Sequence, residues 1–376
     1  MTRLSVQIIT STEEFASLEY EWNALLSCSA SDNIFLRWEW LCNWWNFFGE
    51  TSDRLYILLV KQGEDVRGIA PFYIKQEKQC GFLAQRTLLF LGSGEREEEE
   101  VLSEYLDIIC RAGEEEKVIQ HLMAFILNED VCDEIRLSHI LADSKTVPIL
   151  KQVCKEKRLP FYNAFNIDCP FIPLPSDWET YLQAISPSMR YEIRSDRRRL
   201  EKMGVVLMKK TTRLEDFKDH FLELVRLHNI RWASQGIQGA FEYPKFVLFH
   251  QTVMPILLKN GHLQLWFLSL SSKNIATSYN IQYNNKVYFY QTGLDISATP
   301  KVSGGLVLRS YCIEEAICSK REEYDLMGGG GMKSYKGRWA DNCRIMGEIN
   351  VPISLPSRGF HILQNIGKAI KRKFRK

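Results

Sequence analysis

The segment PKVSGGLVLRSYCIEEA, residues 300–316, places a serine and two glycines immediately before an apolar pattern of helical period. Amide hydrogens in the first turn of a helix lack intrahelical acceptors and carry a partial positive charge, and glycine lets an anion approach them closely. The pattern therefore predicts a phosphate-binding site formed by Ser303, Gly304 and Gly305 at the start of a helix.

A second segment, SPSMRYEIRSDRRRLEKMG at residues 186–204, predicts a helix that Ser186 caps, with Pro187 at its first position and Gly204 at its end. It carries five arginines, Arg190, Arg194, Arg197, Arg198 and Arg199. Guanidinium groups bind phosphates and carboxylates through paired hydrogen bonds. Two interpretations are open: a solvated helix face, or a binding surface for a phosphate or a carboxylate.

The sequence lacks the motifs of several other enzyme classes. It contains no GxSxG and no HExxH, and GGGGMKS at residues 328–334 lacks the GxxxxGK[ST] spacing of a nucleotide-binding loop. Its ten cysteines include no CxxC pair, so they are predicted to be reduced thiols and no metal site is expected. A nucleotide hydrolase is therefore not expected.

The composition indicates a folded protein without a dominant charge. Among 376 residues, 45% are hydrophobic, and 48 basic against 46 acidic side chains give a net charge of +2. Such a chain is long enough for two domains, and no overall electrostatic field favours nucleic acid. No signal peptide is recognised at the N-terminus, and no window approaches the ~18 apolar residues of a membrane span. A cytoplasmic location is expected.

Periodicity predicts helices and strands in both halves of the chain, an α/β (α+β) fold. Residues 261–295 predict three consecutive strands joined by SSKN and NNK turns, an antiparallel meander directly before the helix at 303. GIAP at 68–71 and NIAT at 274–277 hold equivalent places in the two halves, which indicates a duplicated unit. A proline-bearing stretch at 168–178 places a boundary near residue 165, so domains are expected at 1–165 and 166–355, followed by a tail at 356–376.

Five segments occur in the order of a known family: LHNIRWASQG, IATSYNIQYNNKVYFYQTGLD, SGGLVLRSYCIEEAI, EYDLMGG and YKGRWA. Together they resemble the Gcn5-related N-acyltransferase (GNAT) superfamily, and within it the CelD or BcsL-like family associated with cellulose and exopolysaccharide clusters. In the first half, FLRWEWLCNWW and RGIAPF resemble the N-terminal signatures of that family. The family is similar to the Fem peptidoglycan transferases, so the resemblance implies two tandem GNAT-like domains, each with a mixed, mainly antiparallel sheet flanked by helices.

The resemblance also implies an activity. In acyltransferases of this fold, a glycine-bearing loop at the start of the helix after the central strands holds the pyrophosphate of the donor, and Ser303, Gly304 and Gly305 match it. It implies transfer of an acyl group from acyl-CoA, or from another acyl thioester such as acyl carrier protein, to an amine. The acceptor expected is an amino sugar or a lipid-linked amine in surface polysaccharide or glycolipid biosynthesis.

Acyl transfer to an amine needs a deprotonated nucleophile, a polarised carbonyl and a proton for the leaving group. The residues considered for proton transfer are Asp325, Tyr335, Lys336, His228 and Glu242, of which the first four are assigned to catalysis. Catalysis requires Asp325, Tyr335 and Lys336 to converge on one cleft with the amides of 303–305. Backbone amides near 289–293 are expected to polarise the carbonyl. The residues assigned to substrate binding are Arg190, Arg194, Arg231, Trp232 and Gln291.

Two alternatives to this activity remain open. One is Fem-like transfer from aminoacyl-tRNA, in which the arginines at 190–199 would bind tRNA or a lipid-linked phosphate. The other is a non-catalytic binding module of a polysaccharide synthase complex. Separately, residues 357–376 combine an apolar helical face with six basic residues at 368–376, a pattern that predicts peripheral attachment to an anionic membrane surface.

Overall fold

The computed structural model describes residues 3–79 and 83–363 of the chain. Its α-helices are α1 (Thr12–Ala16), α2 (Glu19–Leu26), α3 (Trp38–Phe48), α4 (Glu115–Asn128), α5 (Thr146–Glu156), α6 (Trp178–Ala184), α7 (Pro187–Met203), α8 (Phe217–Ala233), α9 (Pro244–Lys259) and α10 (Gly304–Cys318). Its strands are β1 (Leu4–Ile9), β2 (Arg54–Leu55), β3 (Ile57–Gln62), β4 (Asp65–Ala70), β5 (Phe72–Gln79), β6 (Leu83–Phe90), β7 (Ile109–Cys110), β8 (Glu134–Leu141), β9 (Tyr162–Pro173), β10 (Val206–Lys210), β11 (Leu263–Leu270), β12 (Lys273–Tyr283), β13 (Lys286–Leu294), β14 (Glu323–Asp325) and β15 (Asn342–Pro352).

The first of two compact units comprises the described residues up to Glu95, residues 102–166 and those from Ile345 onward. Strands β1, β3, β4 and β7 form one antiparallel sheet. In a second sheet, β5 pairs antiparallel with β2 and β6, and β6 pairs parallel with β8. Residues 346–352 of β15 pair with β8, so the chain returns to this unit beyond the single boundary near residue 165 that the sequence predicts.

The second unit contains residues 96–101 and 167–344, and it carries the predicted site residues. Its sheet has the order β10, β11, β12, β13, β14, followed by residues 171–173 of β9. Neighbouring strands are antiparallel except for β13 and β14. Helix α8 packs on β12 and β13, and α10 packs on β12, β13 and α7. The fold is therefore mixed α/β with largely antiparallel sheets, as the sequence predicts.

Local sequence signals account for much of this unit. The predicted meander is present, and the residues of its two turns, 271–272 and 284–285, have the left-handed backbone conformation that Asn and short polar residues tolerate best. Ser186 caps α7 by accepting a hydrogen bond from the amide of Met189, with Pro187 at the first turn. Helix α8 begins at Phe217, after an irregular segment that follows β10.

The pairing of β13 with β14 is short, and it opens the sheet. Only three residue pairs join the strands, the last being Tyr288 with Asp325. On the other side of β13, the register with β12 shifts between Tyr279 and Asn280, which leaves Tyr290 as the extra residue of a bulge. Bulges bend a strand and increase its twist. β13 therefore continues from Phe289 to Leu294 without a partner on the side of β14.

The C-terminal tail is described in part. Residues 355–363 are helical, and 364–376, which supply most of the predicted membrane-binding pattern, lie outside the described residues. Within the described chain, none of the helices combines the length and hydropathy that crossing a bilayer requires. Peripheral attachment through residues 357–376 stays a prediction.

Gly293 permits the close approach of α8 to β13. A Cβ atom at this position would lie 2.7 Å from the Cβ of Leu227 and closer still to the backbone nitrogen of His228. We expect Gly293→Ala to lower the free energy of unfolding by about 1–3 kcal/mol, because it forces the helix away from the sheet. The matched control is Gly305→Ala on α10, whose Cβ would meet only an ordinary contact at 3.6 Å. Denaturant unfolding should show a loss for Gly293→Ala alone; equal stability of both variants would contradict the packing argument.

Candidate active site

A cavity of about 200 Å³ opens in the second unit where the pairing of β13 and β14 ends. Its walls come from α7, α8, β12, β13, α10 and the segment that follows β14. The lining residues are Met189, Glu192, Arg231, Thr277, Ser278, Phe289, Thr292, Gly293, Leu294, Ser303, Gly305, Leu306, Leu308, Arg309, Tyr335, Arg338 and Trp339. Of the residues that the sequence assigns to the site, Arg231, Ser303, Gly305 and Tyr335 meet here.

Most backbone amides at the start of α10 already have hydrogen-bond acceptors within the chain, whereas the sequence predicts that they are free to bind a phosphate. The amide of Ser303 donates to the carboxylate of Asp196 at 2.9 Å, and the amide of Gly304 donates to the carbonyl of Val302 at 3.0 Å. The amide of Leu306 donates to Oγ of Ser303 at 3.3 Å. Among the described residues, only Gly305 of these four positions keeps its amide without an acceptor. The expectation that all of 303–305 bind a phosphate is corrected, because a carboxylate of the chain already occupies this helix terminus.

Arg309 is a functional candidate that the sequence analysis missed. It lies on α10 and is only 7% exposed. Its guanidinium carbon lies 4.1 Å from the ring centre of Phe289, 4.7 Å from that of Tyr335 and 5.4 Å from that of Trp339. Its Nε is buried without a hydrogen-bond partner, and no carboxylate in the described chain forms an ion pair with it. The sequence does contain a sign of this residue, because Arg309 stands inside the apolar run LVLRSYCI. The structure shows that most residues of this helix are buried.

The side chain of Tyr335 lies close to three cations, Arg309, Lys336 and Arg231. Burial raises the pKa of its phenol, but the positive charges of Arg309, Lys336 and Arg231 outweigh burial, so the net pKa lies below the ordinary value of tyrosine. The side chain is 44% exposed, so it is accessible to a substrate. Arg231 itself donates to the hydroxyl and carbonyl of Thr292, which fixes it against β13. The arrangement favours proton donation by Tyr335 at a positively charged site.

His228 does not line the cavity, and its ring is already engaged. It is fully buried, and the indole Nε1 of Trp232 donates to its Nε2 at 2.9 Å. Nε2 is therefore the unprotonated nitrogen of a neutral ring, and Gln291 is a further hydrogen-bond partner. Burial lowers the pKa of His228 to about 4. Trp232 and Gln291, which the sequence also assigns to the site, are thus both partners of His228, and His228 has no accessible lone pair for a substrate proton.

Asp325 and Lys336 are also placed away from the lining of the cavity. The carboxylate of Asp325 accepts from the amide of Met327 at 2.7 Å and from Arg344 at 3.2 Å, and the side chain is 1% exposed. The ammonium of Lys336 donates to the carbonyls of Met327 and Gly328 at the start of the glycine-rich loop. The expected convergence of Asp325, Tyr335 and Lys336 on one cleft is met by Tyr335 alone. Lys336 instead holds the loop that carries Tyr335.

Four of the five arginines of α7 line a different, open groove of about 570 Å³, namely Arg190, Arg194, Arg197 and Arg198. Arg194 pairs with Glu179 at 2.7 Å, and Arg197 pairs with Glu314 at 2.6 Å while stacking on Tyr311. Arg190 reaches the backbone carbonyls of Gln183 and Ile185, each at 3.4 Å. Arg190 and Arg194 are therefore not brought together with Arg231 and Tyr335. Neither site holds a metal-binding cluster: within the described residues, no three His, Cys, Asp or Glu side chains are placed to share an ion.

Comparison with known families agrees with this geometry. Residues 187–337 match the family model described as an acetyltransferase (GNAT) domain, and this range contains every wall of the cavity except Arg338 and Trp339, which follow it directly. These residues form a GNAT domain. The chain therefore contains a GNAT acetyltransferase domain, which supports an acyltransferase activity. The narrower resemblance to the CelD or BcsL-like family stays a prediction. A comparison with curated proteins finds no match.

Solved structures share the fold of this chain over most of its length. The crystal structure of FemX has a TM-score of 0.60 and 10% identity, covering 92% of this chain and 96% of that chain. L-PGS from Bacillus licheniformis has a TM-score of 0.51 and 10% identity, covering 92% and 96%. The C-terminal domain of a putative lysylphosphatidylglycerol synthetase from Agrobacterium fabrum has a TM-score of 0.51 and 9% identity, covering 94% and 95%. At these identities the likeness shows the fold alone.

The carboxylate of Asp196 neutralises the positive start of α10. We therefore expect that an external anion can take the place of this carboxylate when it is removed. Removing this buried carboxylate in Asp196→Ala leaves the amide of Ser303 without its acceptor, and we expect a loss of stability of about 1–2 kcal/mol. Inorganic phosphate should then restore part of the melting temperature of the variant, because the helix terminus is open to an external anion. Differential scanning calorimetry with and without phosphate measures both effects. A variant that phosphate stabilises no more than wild type would contradict this role of Asp196.

Proposed function

We propose that the enzyme transfers an acyl group from a thioester, either acyl-CoA or acyl carrier protein, to an amine. The observation that carries this proposal is the position of Tyr335, a phenol with a lowered pKa, in a cavity that begins where β13 and β14 separate. The unpaired edge of β13 beyond Tyr288 supplies backbone amides that can bind the carbonyl oxygen of an extended donor.

The reaction then needs no covalent intermediate. The neutral amine attacks the thioester carbonyl, a carbon–nitrogen bond forms, and the carbon–sulfur bond breaks. The amine gives up a proton to water, and the departing thiolate takes one from Tyr335. The phenolate of Tyr335 then regains a proton from solvent, so the two transfers balance. A phenol whose pKa is lowered toward that of a thiol is a more effective donor to the thiolate, because proton transfer is efficient when the two values are close.

The proposed acceptor is an amino sugar in surface polysaccharide or glycolipid assembly. Support for this setting comes from the resemblance of five ordered segments to the family associated with polysaccharide clusters. The volume of about 200 Å³ accommodates a small part of a substrate, with the remainder outside the cavity. The donor remains either form of thioester, since Asp196 occupies the helix terminus that the sequence analysis assigned to the pyrophosphate of coenzyme A.

Tyr335→Phe tests the role of the phenol. We expect a fall in kcat of about 100-fold or more with little change in KM, because the variant keeps the ring beside Arg309 and loses only the proton. Wild-type activity should also fall as pH rises through the lowered pKa of Tyr335, since the phenol must be protonated to act as an acid. This alkaline decline should be absent from the residual activity of the variant. The assay follows thiol release from acyl-CoA and from acyl carrier protein with glucosamine as acceptor; unchanged kcat would contradict the mechanism.

The groove on α7 supports a second candidate, transfer from aminoacyl-tRNA. It presents Arg190, Arg194 and Arg198 on one exposed surface, and guanidinium groups in such an arrangement bind phosphates. The Fem transferases that the sequence resembles use this donor.

A double variant separates the two donors. If tRNA binds the groove, Arg194→Ser with Arg198→Ser should weaken binding of charged tRNA, and the slope of log affinity against log salt should fall by about one per lost phosphate contact. Arg213→Ser is the control, because Arg213 is an exposed arginine that pairs with Glu215 outside the groove. Filter binding at several salt concentrations gives the slopes. Equal slopes for the double variant, the control and wild type would exclude tRNA binding at this surface.

A further inference from the structure

The walls of the cavity carry more positive than negative charge. Three arginines and one carboxylate line it, and that carboxylate, Glu192, pairs with Arg338. Arg231 and Arg309 remain, and neither forms an ion pair with any acidic side chain of the described chain. The polar contacts of Arg231 are with the neutral groups of Thr292 and with the hydroxyl of Tyr335. Two guanidinium groups therefore face one small cavity without a counter-charge.

Arg309 is held in a way that directs its hydrogen bonds. Aromatic rings of Phe289, Tyr335 and Trp339 lie against the guanidinium, with Phe289 and Tyr335 nearest. Rings stacked on a guanidinium leave its N–H groups pointing outward in the plane. The hydroxyl of Tyr335 is one neighbour in reach, whereas Nε has no acceptor. The group is therefore fixed in orientation and still has unused donors.

Arg197 in the same unit provides an internal comparison. It too stacks on aromatic rings, with Tyr311 at 3.9 Å and Trp178 at 4.9 Å, but Glu314 supplies its counter-charge at 2.6 Å. Arg197 is the more exposed of the two arginines and nevertheless has an acid partner. A buried charge is normally paired, because desolvation costs several kcal/mol that an opposite charge must offset. Arg309 has no such opposite charge from the described part of the chain, and the simplest source of one is an anionic group on a ligand.

We propose that this cavity binds a carboxylate or phosphoryl group of the substrate between Arg231 and Arg309, with the amide of Gly305 as a third donor. The enzyme then acts on an acidic substrate whose anionic group lies close to the reacting carbonyl. That the ligand is a substrate rests on the proposed acyl transfer. The existence of the anion site does not depend on that proposal. The acidic group belongs either to the acyl chain of the donor or to the amine acceptor.

Anion binding can be measured without turnover. The probes are N-acetylglycine, its neutral analogue N-acetylglycinamide, and inorganic phosphate at matched ionic strength, with melting temperature as the readout. We expect N-acetylglycine or phosphate to raise Tm by about 1–3 °C and the neutral amide to leave it unchanged. Absence of an anion-specific rise in the wild-type protein would overturn the proposal.

Two matched variants locate the effect. In Arg309→Met the anion-dependent rise should disappear, while Tm of the ligand-free protein stays equal to wild type or increases, because a buried unpaired charge has been replaced by an apolar chain. In Arg197→Met the ligand-free protein should melt lower, because Glu314 loses its partner, and the anion-dependent rise should persist. Arg231→Met is the second test of the cavity, and it should also lose the rise. Retention of the full rise in Arg309→Met would overturn the assignment.

Kinetics then identify which substrate carries the anion. Comparing succinyl-CoA with acetyl-CoA tests the donor, and comparing muramic acid with glucosamine tests the acceptor. The charged member of one pair should be preferred by about tenfold or more in kcat/KM, and the preference should vanish in Arg309→Met. An anion-dependent Tm rise without turnover of any pair would leave the anion site standing and count against acyl transfer. Turnover with no charge preference in either pair would count against the anionic substrate and leave acyl transfer standing.

Discussion

The short parallel pairing of β13 and β14 is the constraint on which the site depends. A strand in the middle of a sheet normally has partners on both edges, since unpaired backbone groups in a buried place are costly. Here the pairing stops at Tyr288, while β13 continues for six residues and bulges at Tyr290. The bulge is anchored, because the hydroxyl of Tyr290 reaches His250 at 3.2 Å and the carbonyl of Val101. The open edge is therefore a fixed feature of the fold, as the proposed binding of an extended donor requires.

Electrostatics divide the cavity into a neutralised end and a charged end. The positive terminus of α10 is met by the carboxylate of Asp196, which comes from α7. One to two turns along the same helix, Arg309 brings a cation that no acid compensates. The lowered pKa of Tyr335 follows from this second end, because the positive charges favour the phenolate. The positive charge of the cavity thus comes from the side chains around Tyr335. It does not come from the backbone amides at the start of α10, which the sequence pattern points to, because Asp196 neutralises them.

Much of the fold is local in origin, and the sequence predicts that part well. Ser186 and Pro187 start α7, and polar turn residues separate the strands of the meander, so these elements follow from adjacent residues. The site is less local. Asp196 and Ser303 are 107 residues apart, and only the packing of α7 on α10 brings them together. The lack of partners at Arg309 is likewise a property of its surroundings. His228 looked catalytic because its residue type suits proton transfer, although Trp232, one helical turn later, already occupies its lone pair.

The aromatic cage around Arg309 explains why such a residue can persist without an acid. A cation–π contact is worth about 0.5–2 kcal/mol, so three rings together offset a penalty of several kcal/mol for removing a guanidinium from water. The rings act on its faces, however, and leave donors such as Nε unsatisfied. A leucine or methionine would fill the same volume without that cost, so packing alone gives no reason for an arginine here. The residue makes physical sense when the cage is regarded as a holder that keeps the cation oriented and partly stabilised until an anion arrives.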